Sequence, residues 1–235
     1  MDMKKIVERK KRVFIIILAV IICVGIILSV FLFNLFRIIE DEKTYTVNFY
    51  SENNEIIKTE TVKSGKAALP PEELDVSDGK IFKKWDTDFS SVRNDLEIKP
   101  VFNTIDGKEN VFALSGAYGQ KNDTVTTSLV LRGDVELSGF DLTVEYDKDV
   151  LEYISVINKD GSVICNDSEP GKIKVNFVSV ENTLGDVDIC SFKFKAGENK
   201  KEAPLTITVN KVYANKDNTL YEPKYNIINS TIYVY

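Results

Sequence analysis

The 235-residue chain reads as an all-β exported region behind a single N-terminal transmembrane helix. Three observations predict this. A charge-free apolar run of 24 residues fills Val13 to Phe36. From Thr44 onward, apolar and polar residues alternate with period two in short blocks bounded by Gly, Pro, Asn and Asp, the pattern of strands with one buried and one wet face. In the last 125 residues no amphipathic helical pattern interrupts these blocks. That stretch is long enough to bury a core of its own, so the expected architecture there is a β-sandwich.

The apolar run comes first. At about 1.5 Å per residue it spans the roughly 30 Å hydrocarbon core with tilt to spare. Lys4, Lys5, Arg9, Lys10, Lys11 and Arg12 precede it, and Arg37 followed by Glu40, Asp41 and Glu42 comes after it. The excess of positive charge before the run predicts a cytoplasmic N-terminus, residues 1–12, and export of everything after the span. The run is long for a cleaved secretory signal and lacks small residues at the positions a signal peptidase reads. Ile21 and Ile22 ahead of Cys23 argue against a lipoprotein site. The expected location is the cell membrane, single-pass, with residues 13–36 in the bilayer and the later domains extracellular.

The first 37 residues hold seven Lys/Arg and two Asp/Glu, which leaves the exported part with 23 basic and 34 acidic side chains, net −11. This disfavours nucleic acid as a partner. The absence of histidine removes Ser-His and Cys-His nucleophilic systems and most zinc sites. No phosphate-binding glycine loop or EF-hand loop is present. The carboxylates are numerous enough for some to fall at catalytic spacing by chance, so their abundance does not argue for a glycosidase. The chain reads as no enzyme, with no cofactor and no metal of its own.

Residues 44–102 form the first exported unit. Thr44 to Tyr50 and Glu55 to Val62 make a hairpin around Ser51-Glu-Asn-Asn54. Gly65, Pro70 and Pro71 follow, then "GKIFKKWD", then a closing strand from Leu96 to Phe102. This order resembles the small internalin-type B-repeat modules, which are β-rich and β-grasp-like, although Asn53 and Asn54 stand where those modules usually carry a turn glycine. Trp85, the chain's only tryptophan, is expected in the core of so small a unit with Phe82 and Phe89. The resemblance implies a spacer that lifts the next domain off the membrane. Asn103 to Asn110 is polar and turn-rich, a short linker.

Residues 111–235 carry the sandwich. In Gly139-Phe-Asp-Leu-Thr-Val-Glu-Tyr146, Phe140, Leu142, Val144 and Tyr146 face one way and Asp141, Thr143 and Glu145 the other. The strand stops at Tyr-Asp-Lys-Asp, and apolar residues resume at Val150. An alternating strand runs upstream from Thr124 to Leu131, "PGKIKVNF" follows downstream, and "GDVDICSFKFKA" comes after that. "VFALSGAY", "YISVIN", "SVICND", "LTITVNKVYAN" and "STIYVY" supply further strands. Four of these blocks, in this order and spacing, resemble the cohesin family, the dockerin-receiving modules of cellulosome-type assemblies. The resemblance covers about 111–235 and implies a nine-stranded jelly-roll sandwich that binds dockerin-bearing proteins on a bacterial surface of the Gram-positive kind. Calcium in such pairs belongs to the dockerin.

In cohesins the dockerin packs on the outer face of a sheet with strand order 8-3-6-5. With "GFDLTVEY" as strand three, "KIKVNF" as strand six and "DICSFKFK" as strand eight, the outward residues are Asp141, Thr143, Glu145, Lys174, Asn176, Val178, Ser191, Lys193 and Lys195. The resemblance places Asp141 where many cohesins set an acidic residue against the dockerin, with Gly139 two positions earlier in place of a frequent Asn. Val178 and Val180, beside Glu181 and Asn182, form the expected apolar contact patch. Lys193 and Lys195 are expected to pair with Asp141 and Glu145 across neighbouring strands. On the same assignment Cys165 and Cys190 fall on strands five and eight, at opposite edges of one sheet. Three steps of about 4.8 Å separate them by about 14 Å, beyond the roughly 7 Å limit for a disulfide, so both are expected as free thiols. Two other functions stay open: a carbohydrate-binding module on the same architecture, with polysaccharide as partner and Tyr213, Tyr221 and Tyr225 as its aromatics, and a generic envelope adhesion protein.

Overall fold

A computed structural model describes residues 3–105, 110–133, 137–158, 162–183, 187–198, 201–216 and 219–235. Helix α1 (Met3–Glu42) is continuous, and its apolar stretch Phe14–Arg37 is 24 residues long with none of it buried against protein. That is consistent with a single membrane span. Lys43 alone separates the helix from the first strand.

Residues 44–105 make a small β unit. Strands β1 (Thr44–Tyr50) and β2 (Ile56–Lys63) form the antiparallel hairpin, and β4 (Leu96–Ile98) adds to β1 in parallel. A separate ribbon pairs β3 (Lys80–Trp85) with β5 (Pro100–Thr104). The hairpin turn puts Asn54 at φ 60°, and its N–H donates to Ser51 O at 3.1 Å. Asn takes this left-handed conformation more readily than other non-glycine residues, so the turn closes without glycine. Trp85 is buried in the core, meeting Phe49 and Phe82 edge-on at 5.2 and 5.4 Å.

Two facing sheets build the sandwich. One has five strands in the order β10 (Leu151–Asn158), β13 (Val187–Ala196), β8 (Thr124–Arg132), β6 (Val111–Leu114) and β16 (Asn226–Ile228). The other runs β11 (Ser162–Asn166), β12 (Lys172–Thr183), β9 (Leu137–Tyr146), β14 (Lys201–Lys216), β17 (Ser230–Val234) and β7 (Ala117–Gly119), with β15 (Thr219–Tyr221) paired to β14. The block read as one strand, "VFALSGAY", is two. It breaks at Ser115-Gly116 and passes from the five-stranded sheet to the seven-stranded one. A strand that changes sheets at such a corner closes the end of a sandwich.

The inward residues of β9 and β12 match the alternation. Phe140, Leu142, Val144, Ile173, Val175 and Phe177 are buried, and Phe140 stacks on Phe177 at 5.1 Å. Strand β13 departs from expectation. It lies between β10 and β8 in the opposite sheet, and the neighbour of β9 is β14. Lys195 therefore faces Glu152 and Thr124 across its strand pairs, and Lys193 faces Ser155 and Thr126; neither reaches Asp141 or Glu145. Ser191 is buried, its hydroxyl 3.0 Å from Ser128 Oγ. Cys165 and Cys190 are not joined by a disulfide, but they sit in different sheets rather than at two edges of one. Periodicity fixes which residues of a strand face inward; it carries no information on which sheet the strand joins, and both β13 and β14 carry a period-two pattern.

The small unit packs directly on the sandwich. Ile81 and Ile105 cluster with Val111, Ala113 and Val130 on the outer side of the five-stranded sheet. Tyr118 and Tyr235 enter the aromatic cluster around Trp85 and Phe89. Hydrogen bonds cross the junction, among them Gly116 N–H to Phe82 O at 2.8 Å and Trp85 N–H to Tyr118 Oη at 3.0 Å.

Candidate docking face

The outer face of β11-β12-β9-β14 points away from this junction. Its centre is built in register. Asp141 stands between Asn176 on β12 and Lys211 on β14; Thr143 between Lys174 and Thr208; Glu145 between Lys172 and Thr206. Each is at least partly open to solvent. Strand β14 carries one extra residue at Asn210, where its pairing with β9 shifts. Such a bulge lets Val209 and Val212 both point inward while Asn210 and Lys211, adjacent in sequence, are both exposed. The Asn210 side-chain amide donates to Asp141 Oδ1 at 3.0 Å and to Thr143 Oγ1 at 3.2 Å. The carboxylate at the middle of the face is thus held in one orientation, and the Asn210 carbonyl oxygen adds a further acceptor.

The charged rim is salt-bridged. Lys172 lies 2.9 Å from Glu169 and 3.8 Å from Glu145; its hydrogen bond to Glu169 raises the lysine pKa and lowers that of Glu169. Lys201 lies 2.7 Å from Asp147. That hydrogen bond, and a second from the Asp149 N–H, hold Asp147 below the ordinary carboxylate range. Exposed pairs like these fix side-chain positions more than they stabilise the fold.

One end of the face is apolar. Tyr213 on β14 and Leu220 on β15 are 37% and 64% exposed. With Gly139, Asp141 and Asn176 they line a shallow depression of about 340 Å³. Ile164 on β11, opposite Asn176, is 67% exposed.

Of the residues expected here from sequence, Asp141, Thr143, Glu145 and Asn176 come together on this face. Ser191 does not: it lies on β13 in the other sheet, where it is buried. The β12 backbone runs through Val178, Val180, Glu181 and Asn182, but their side chains lie outside the described residues. Tyr213 was expected only as an aromatic of a sugar-binding patch; Asn210 and Leu220 were missed. One signal for them was present, because the inward residues Ile207, Val209 and Val212 step by two and then by three, as a bulge requires. Among the described residues no group of three or more Asp, Glu, Cys or His side chains forms a metal site.

Residues 111–234, more than half of the chain, match the family profile described as Cohesin domain. The chain belongs to the cohesin family. Members of this family are non-catalytic protein-interaction modules that bind dockerins in cellulosomes. The seventh ScaB type I cohesin from Pseudobacteroides cellulosolvens shares the fold, at 17% identity and a TM-score of 0.51 over 55% of this chain and 93% of that one. Further similar structures are the sixth cohesin of scaffoldin B from Acetivibrio cellulolyticus, in complex with a Cel5 dockerin (21% identity, TM-score 0.49, 55% of this chain and 100% of that one), and a non-cellulosomal cohesin from the archaeon Archaeoglobus fulgidus (17%, 0.48, 54% and 91%). No curated protein matches the chain in sequence. With β9 as cohesin strand three, β12 as six and β11 as five, strand eight is β14 and not the "DICSFKFK" strand. The family's 8-3-6-5 sheet is therefore β14-β9-β12-β11.

Proposed function

We propose that this cohesin is a membrane-anchored surface receptor that captures dockerin-bearing proteins on the outer face of β14-β9-β12-β11. The observation that carries the reading is the match of residues 111–234 to the cohesin family, on a sandwich whose equivalent sheet leaves Asp141, Thr143, Glu145 and Asn176 open to solvent. The face offers what a partner helix pair needs: an acceptor-rich centre held by Asn210, and an apolar end at Tyr213 and Leu220 to seat an aliphatic anchor. Buried anchors carry most interface energy and rim charges little. Calcium enters with the dockerin. Residues 13–36 hold the chain in the bilayer with the N-terminus cytoplasmic and the cohesin outside, on a Gram-positive cell surface. The small unit at 44–102 sets the cohesin's height and, packed as it is, its orientation.

The polysaccharide reading that relied on the late tyrosines has less support. Tyr225 packs edge-on against Phe112 at 5.8 Å, so Tyr213, Tyr221 and Tyr225 do not form an exposed row. The experiment is capture by the full chain, in detergent or nanodiscs, of a panel of purified type I dockerins including the Cel5 dockerin, with and without calcium. Calcium-dependent capture of a dockerin supports the proposal, and failure of the whole panel in the presence of calcium contradicts it.

A further inference from the structure

A second cleft lies at the start of β14, the opposite end of that strand from the depression at Tyr213 and Leu220, where the small unit meets the edge of the seven-stranded sheet. It encloses about 490 Å³ between the segment Lys84–Ser90 on one side and β7, β17 and the start of β14 on the other, within the size range of small-molecule sites. Neither unit forms it alone.

Its inner wall is aromatic and rigid. Tyr118 and Tyr233, neighbours in register on β7 and β17, stack at 4.6 Å with their planes 14° apart. Behind Tyr118 stands Phe89, at 5.3 Å, and the Tyr118 oxygen accepts the Trp85 N–H. That bond leaves the phenol's own hydrogen to be donated elsewhere. Tyr233 is half-buried; burial, then the negative charge of Glu202, pushes its pKa up, so it too remains a neutral donor.

The rim is polar and pre-set. Asp86 Oδ1 accepts from Lys99 N–H and from the Thr87 hydroxyl, both at 2.9 Å. Asp88 Oδ1 accepts from Ser90 N–H at 2.8 Å. Glu202 and Lys201 border the opposite side, and Lys84 the near one.

This set of groups selects its ligand by chemistry. The carboxylates of Asp86, Asp88 and Glu202 repel an anion, while the ammonium groups of Lys84 and Lys201, the latter shared with Asp147, offset part of their pull on a cation. A purely apolar ligand would strip water from these charged rim groups without replacing it, which is costly. A neutral molecule with many hydroxyls and apolar C–H patches satisfies both the rim and the ring of Tyr233. We propose that this junction is a binding site for a neutral polysaccharide, with Tyr233 as its stacking platform and Asp86 and Asp88 as its hydroxyl acceptors. The site is separate from the docking face and does not depend on dockerin capture.

The test uses the full chain in detergent, run by affinity electrophoresis through gels containing hydroxyethylcellulose, xylan, glucomannan or mixed-linkage β-glucan. Trp85, on the cleft wall, gives a second readout through its fluorescence. The expected result is retardation by at least one of these neutral polymers, a Trp85 emission change on titration with the same polymer, and at least tenfold weaker binding by Tyr233→Ala. Tyr233→Phe, which keeps the ring, should bind within about threefold of the native chain. Asp86→Asn, an exposed change, should weaken binding while thermal unfolding stays native-like. Retardation by none of the polymers, or retardation that Tyr233→Ala and Asp86→Asn leave unchanged, overturns the proposal.

Discussion

Gly116→Ala tests the junction most sharply. A Cβ at this position would fall 2.0 Å from the Lys83 carbonyl oxygen and 2.8 Å from its carbon. Both are backbone atoms of β3, which is tied to β5 and cannot move aside as a side chain could. To restore ordinary contact the two backbones must part by roughly 1.4 Å, an overpacking strain that typically costs about 1–3 kcal/mol. The same displacement stretches the 2.8 Å bond from Gly116 N–H to Phe82 O and the 3.0 Å bond from Trp85 N–H to Tyr118, each worth about 1 kcal/mol. The sum is about 3–5 kcal/mol, which for a domain of 150–250 residues lowers Tm by about 6–20 °C. Thermal unfolding of the full chain in detergent reads this directly through Trp85, the only tryptophan, which lies at the junction. A Tm within about 2 °C of the native value would refute the close approach, and with it the view that the small unit is fixed to the cohesin.

Two pH predictions follow from the same structure. Asp147 is held below the ordinary carboxylate range by Lys201 and the Asp149 N–H. Its contribution to stability is present above the unfolded carboxylate pKa of about 4 and is lost as pH falls through the lower folded value. Lys201→Met should return the Asp147 pKa toward its ordinary value in an NMR titration, and an unchanged pKa would contradict the pairing. Burial raises the pKa of Tyr118, Tyr153 and Tyr235 above the ordinary value. Their contribution is present below the unfolded pKa of about 10 and is lost as pH rises above it. Tyrosinate absorbance of these rings should therefore appear only together with alkaline unfolding; ionisation at ordinary pKa in the folded chain would contradict their burial.

Much of this architecture is written in the sequence at the level of single strands. The inward faces of β9 and β12, the buried Trp85 and the apolar helix all follow from period-two or run-length patterns, because burial of one face is a local property. Partner choice is not local. The assignment of "DICSFKFK" to the docking sheet failed because both β13 and β14 carry a period-two pattern and only the three-dimensional order shows which of them joins β9, and it carried Ser191, Lys193 and Lys195 to the wrong side of the sandwich. The junction was equally hidden. Tyr118 and Tyr235 look like ordinary strand residues, and nothing in their spacing shows that they complete the core of a unit that precedes them in the chain. Asn210 was legible only as a broken step in an alternating strand, and what the bulge does, fixing Asp141 and Thr143, needed the register of β9 against β14.

The measurement that bears most directly on the docking face is a calorimetric titration of a calcium-loaded dockerin, chosen from the panel that the full chain captures, into the native chain and four variants. Asp141→Ala and Leu220→Ala should each weaken binding by at least tenfold, the loss expected when a central contact or an anchor is removed. Asn210→Ala, which frees Asp141, should weaken it about threefold to tenfold, while Lys195→Ala on the opposite sheet should stay within twofold. Loss of binding in Lys195→Ala with native affinity in Asp141→Ala and Leu220→Ala would place the partner on the other sheet and contradict the account.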